Sequence, residues 1–163
     1  MAQDLSLLLR HKVESESPNL RALTEEAASA PRVAGKWSAK QELGHLIDSA
    51  ANNHMRFVRA AIGPEYRGPS YQQESWVRQH RYQELTWETL VSFWSQYNLL
   101  LAHVVEGIPE DGLVAMCYIG EHPPASLRRV IEDYAVHMQH HLDQLLRRER
   151  ITAYPPGPKA EEP

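Results

Sequence analysis

Three histidines carry the clearest chemical signal in this chain. His137 and His141 form an i, i+4 pair in His137-Met138-Gln139-His140-His141, and His45 lies far upstream in Glu42-Leu43-Gly44-His45-Leu46-Ile47-Asp48. On a helix, residues four apart share a face and stand about 6 Å apart along the axis. If two such helices pack side by side, three imidazoles converge on one divalent ion and leave a coordination position open. Neutral imidazoles leave the ion's charge largely uncompensated, so it can generate hydroxide for hydrolysis or hold a thiol as its nucleophilic thiolate. The pair alone decides little, because nine histidines among 163 residues give roughly 0.5 such pairs by chance. From spacing alone, hydrogen-bonded core or interface histidines are the stronger reading.

The neighbours of these residues add context. His45 falls on the helical line Gln41, His45, Asp48 and Asn52, beside an apolar stripe, which predicts an inward-facing polar strip. Asp48, one turn after His45, can orient an imidazole, accept a proton from activated water as a base, or form a surface hydrogen bond. His140 is turned about 100° from His141, toward solvent or a dimer contact. His54 is too far along its helix to share an ion with His45, and His103 has no specific context. His11, His80 and His122 belong to surfaces or loops. Trp76, Trp87, Trp94, Tyr97 and Tyr134 suit core packing better than a ligand pocket.

Long helices must position the triad. Leu5, Leu8, Leu9 and Val13, continued by Leu20 and Leu23 past Ser17-Pro18, predict one bent helix from about residue 3 to 23. Thr24 caps a short further turn. Ser38 followed by Gln41 reads as a capping box opening a second long helix, which Gly63-Pro64 stops. Residues 66–70 read as turns and 71–79 as a short helix. Thr86 caps a third long helix that ends at Gly107-Ile108-Pro109, and an extended piece is expected within 114–119. The last long helix starts near Ala125 or Ser126 and runs to about Arg150. Its final turn holds the basic cluster Arg147-Arg148-Glu149-Arg150, which complements the helix dipole. Four amphipathic helices bury their stripes by packing into a bundle.

Composition narrows the function classes. The length predicts a single domain over residues 1–152, followed by a Pro-rich polar tail over 153–163. A net charge of −4 gives no general attraction to nucleic acid or anionic lipid. No apolar run approaches the roughly 20 residues of a membrane-spanning helix. The single cysteine, Cys117, has no internal disulfide partner and lies among apolar residues, so buried packing in a reducing cytoplasm is expected.

In three segments the chain resembles the DinB-like superfamily. Gly35-Lys36-Trp37-Ser38, His45-Leu46-Ile47-Asp48-Ser49 and His137-Met138-Gln139-His140-His141-Leu142-Asp143-Gln144 match its recurring pattern and frame residues from about 35 to 146. The resemblance implies an all-α four-helix bundle with a long crossover between bundle helices 2 and 3. It also implies a metal held by His45, His137 and His141, a tendency to homodimerise, and chemistry of the thiol-dependent transferase or hydrolase kind. Its partners would be a small-molecule substrate and a low-molecular-weight thiol. Zinc or nickel suits imidazole and water, whereas manganese or iron would call for an added carboxylate. A non-catalytic metal- or ligand-binding dimeric bundle with a stress-related role is the competing expectation.

Overall fold

Side-chain caps at Thr24, Ser38, Thr86 and Ser126 explain where four of the helices begin, and apolar residues at helical spacing explain which faces they bury. The computed structural model describes residues 1–149 and 152; the expected Pro-rich tail lies outside them. The first helix, α1 (Ala2–Arg21), buries Leu5, Leu9, Val13 and Leu20, continues through Pro18 and ends at Arg21 rather than near residue 23. Thr24 caps the short α2 (Glu25–Ser29), its hydroxyl accepting from the Ala27 N–H at 3.1 Å. The predicted capping box opens α3 (Ala39–Ile62). Ser38 Oγ accepts from the Gln41 N–H at 3.3 Å, and Gln41 Oε1 accepts from the Ser38 N–H at 3.1 Å.

Beyond α3 the chain crosses the bundle through β1 (Glu65–Gly68) and α4 (Gln73–His80) before α5 (Trp87–Glu106), which Thr86 caps. It then returns through β2 (Met116–Ile119) and β3 (Ala125–Ser126) to α6 (Leu127–Leu145), capped by Ser126. In cross-section α1 packs on α5, α5 on α3, α3 on α6 and α6 on α1, which closes a four-helix bundle. Leu9, Leu43, Phe57, Trp94, Leu101 and Met138 are buried to 1% exposure or less at its centre. Each such side chain contributes about 1.5–3 kcal/mol by leaving water. The long crossover and the extended piece within 114–119 are both present.

Two local expectations are corrected. Residues 66–70, read as turns because of Gly68 and Pro69, contain most of β1, which pairs in parallel with β2 in the register Tyr66 to Cys117 and Gly68 to Ile119. The pairing partner is remote in sequence, so no local pattern announces it. The last helix stops at Leu145, and the basic cluster is not its final turn. Arg147 adopts φ +55°, its N–H bonding the Gln144 carbonyl at 3.2 Å, while the Arg148 N–H bonds the Asp143 carbonyl at 3.1 Å. These two bonds form a Schellman ending without the usual glycine. The Arg148 side chain then pairs with Glu16 on α1 and Asp143 on α6. Arg150 lies outside the described residues.

Candidate metal centre

The capped start of α3 sets a row of polar side chains facing the interior. Glu42, His45, Ser49, Asn53 and Arg56, spaced three or four apart, are all buried, and so are Asp48 and Asn52 beside them. Gly44 lies on the same helix where a Cβ would stand 2.1 Å from the Tyr82 ring, so glycine is what allows that ring to lie against α3. Opposite, α6 presents His137 and His141 from successive turns.

The two helices bring the triad together. The Nε2 atoms of His45 and His137 are 3.1 Å apart, and one nitrogen from each of His45, His137 and His141 lies within 4.8 Å of the others. Imidazole nitrogens bound to one zinc ion at about 2.0–2.1 Å are roughly 3.3 Å apart, so this spacing fits a shared cation. His141 Nδ1 is hydrogen-bonded to Glu42 Oε1 at 2.5 Å, which leaves Nε2 as its ligand atom. Gln144 Nε2 donates to the same carboxylate oxygen at 2.6 Å. Ser49 Oγ stands 3.5 Å from His137 Nδ1, and the Trp37 ring packs against His45 with centroids 5.3 Å apart.

Electrostatics favours the ligating form of His45 and His137. Burial, reinforced by His141, lowers the His45 pKa to about 3. Burial together with His141, His45 and His140 lowers that of His137 well below the ordinary value. Neutral imidazole is the state that binds a metal. Among the described residues, Nδ1 of His45 is sealed from water without a hydrogen-bond partner, on the other side of the ring edge from the Nε2 that faces His137.

Asp48 is 1% exposed, which overturns the surface-hydrogen-bond reading. Its Oδ1 accepts from the Tyr82 hydroxyl at 2.6 Å and lies 2.9 Å from His80 Nδ1, while Oδ2 is buried without a partner among the described residues. Burial raises the carboxyl's pKa, partly opposed by Tyr82 and His80. His80 is exposed as expected, but its tie to Asp48 was not anticipated. His54 faces Tyr97 at 3.3 Å, apart from the triad, and the His140 ring packs edge-on against His141. Glu42 and Arg56 are the interior residues that sequence reasoning missed. Their signal was the three-and-four spacing through His45, masked by their being charged. Trp87 and Trp94 are core residues, whereas Tyr134 and His137 line a cavity of about 500 Å³ between α3, α6 and the two long connections.

A family model described as the DinB superfamily matches residues 17–145. The chain belongs to the DinB superfamily. Its fold is shared with YfiT from Bacillus subtilis, described as a probable metal-dependent hydrolase with an unusual four-helix bundle topology. That likeness has a TM-score of 0.80 at 14% identity over 90% of this chain and 84% of YfiT. A mycothiol-dependent maleylpyruvate isomerase, solved as a histidine-to-alanine mutant, superposes with a TM-score of 0.73 at 12% identity, covering 89% of this chain and 60% of the isomerase. No curated protein matches the DinB-superfamily chain described here. Among its described residues, no helix is long and apolar enough to cross a membrane.

Proposed function

We propose that this protein is a divalent-metal-dependent enzyme acting on a small molecule, with His45, His137 and His141 as the metal ligands and water or a low-molecular-weight thiol as the nucleophile. The observation that carries this reading is the convergence of three imidazole nitrogens within 4.8 Å of one another, one of them on His137, which lines a cavity of about 500 Å³. A divalent cation held there, zinc or nickel by the all-imidazole donor set, supplies Lewis acidity toward water or a thiol. Glu42 orients His141, and burial excludes water from His45. Asp48 serves as the base, holding the transferred proton at Oδ2, with Tyr82 and His80 linking its other oxygen to the surface.

Homodimerisation and a cytoplasmic setting belong to the same reading. Ile62 on α3 and Phe93 and Leu100 on α5 are large apolar side chains exposed at 81%, 53% and 47%, which supports a partner surface on these helices.

Purification without added metal, followed by elemental analysis of wild type and of His45→Ala, His137→Ala and His141→Ala, tests the ligands. The wild type should hold about one ion per chain and each variant much less. Equal metal content in all four proteins sinks the assignment. Screening electrophiles with and without cellular thiols then tests turnover. Asp48→Asn should retain metal and lose most of the rate, by about 10²–10⁴-fold for a general base.

A further inference from the structure

His137 links the triad to the cavity of about 500 Å³ that it lines, and a cationic side chain lies along the same wall. From the triad, Ser49, Asn53 and Arg56 follow one another on successive turns of α3, and all three line the cavity together with His137. Arg56 is 9% exposed. Its Nη1 donates to Asn53 Oδ1 at 3.3 Å, and no carboxylate pairs with it among the described residues.

This isolation contrasts with two other cations drawn into the fold. Lys40, also buried, is paired with Glu25, and the half-buried Arg148 with Glu16 and Asp143. The other arginine lining the cavity, Arg129, is paired with Asp133 at 2.9 Å, which also engages the acidic residue of that wall. Arg56 therefore leaves an uncompensated positive charge facing the cavity. A buried cation without a counter-ion destabilises a protein, whereas a ligand can bring the missing charge.

We infer that the cavity binds an organic acid whose carboxylate is held by the Arg56 guanidinium, steadied by Asn53, with the rest of the molecule extending toward His137. The guanidinium fork matches a carboxylate bidentately. One uncompensated charge fits a monoanionic group, and a phosphate dianion would leave a buried negative charge in its place. Tyr71, Ile119, Val130 and Tyr134 provide apolar wall for the acid's carbon skeleton. The carboxylate site stands on Arg56 alone; that the acid is the substrate rests on the metal-enzyme reading above.

Titration calorimetry and arginine side-chain NMR with benzoate, succinate, benzamide and inorganic phosphate test the site on the full chain. At least one of the two acids should bind saturably and shift the Arg56 resonance. Arg56→Gln should weaken that binding roughly 10- to 100-fold, as loss of a charge-assisted hydrogen bond requires, and Arg56→Lys should recover part of it. The metal content of Arg56→Gln should equal that of wild type, and its melting temperature should be no lower, because the substitution removes an unpaired buried charge. Absence of binding by both acids, binding indifferent to Arg56→Gln, benzamide binding as well as benzoate, or phosphate binding more tightly than both acids overturns the inference. So does a sharp fall in the melting temperature of Arg56→Gln, which would make Arg56 a structural residue. If the triad variants keep wild-type metal while acid binding still depends on Arg56, the metal assignment fails and the carboxylate site stands.

Discussion

Glu42 has no contact with the proposed ion, yet it sets which nitrogen of His141 faces it. Its carboxylate engages Nδ1 at 2.5 Å and also receives the Gln144 amide, so ring and carboxylate are held together in a buried setting. Glu42→Ala should weaken metal affinity by about 10- to 100-fold without abolishing it, as loss of an outer partner of a ligating histidine does. Competition against a chromophoric chelator measures this, and unchanged affinity would separate Glu42 from the centre. The three histidines were legible because imidazole is uncommon, the i, i+4 pair is periodic, and the flanking motifs resemble a family. Glu42 and Arg56 were not, since charged residues on a helix are usually solvated, and that expectation masks their place on the row through His45. The Tyr82 contact with Asp48 was illegible for another reason. It requires Gly44 to admit a ring from a different segment of the chain, a relation that exists only after folding.

At the level of elements, α1 and α6 are joined near their C-terminal ends by a charged network. Arg148 Nη1 and Nη2 donate to the two carboxylate oxygens of Glu16 at 3.0 and 2.5 Å, Arg148 Nε donates to Asp143 at 2.7 Å, and Gln139 bridges Glu16 and Asp143. Burial tends to raise the Glu16 pKa, but hydrogen bonds from Arg148, Asn19 and Gln139 outweigh it and the net shift is downward. A depressed carboxyl pKa means that the unfolded chain binds the proton first as pH falls. The stability contributed by Glu16 is therefore present above its ordinary value of 4.5 and is lost as pH drops from there through the folded-state pKa. Glu16→Gln should cost about 1–3 kcal/mol near neutral pH, the range for a buried carboxylate whose partner is part-exposed, and flatten the acid limb of stability. Denaturant melts of both proteins at pH 7 and pH 3.5 check this; an equal difference at the two values contradicts it. The helices themselves were legible from apolar spacing and from Ser38, Thr86 and Ser126 as caps. The end of α6 was not, because its left-handed residue is Arg147 where a glycine would have signalled the stop.

At the level of the molecule, β1 and β2 tie the two long connections to each other above the cavity. Away from that cavity, Ile62, Phe93 and Leu100 leave apolar surface on α3 and α5. Sedimentation should find a dimer, and Phe93→Arg should shift it toward monomer with metal content retained; a wild-type monomer at high micromolar concentration would refute the proposed pairing.

His45 and His137 are 92 positions apart in the chain. An ion gripped by both acts as a reversible clasp on a loop of that length, removing chain entropy worth at most about 4–5 kcal/mol by the arithmetic used for covalent cross-links. Because α1 lies outside the loop, metal capture tightens the segment from α3 to α6 directly and reaches the first helix through its packing against α5 and α6.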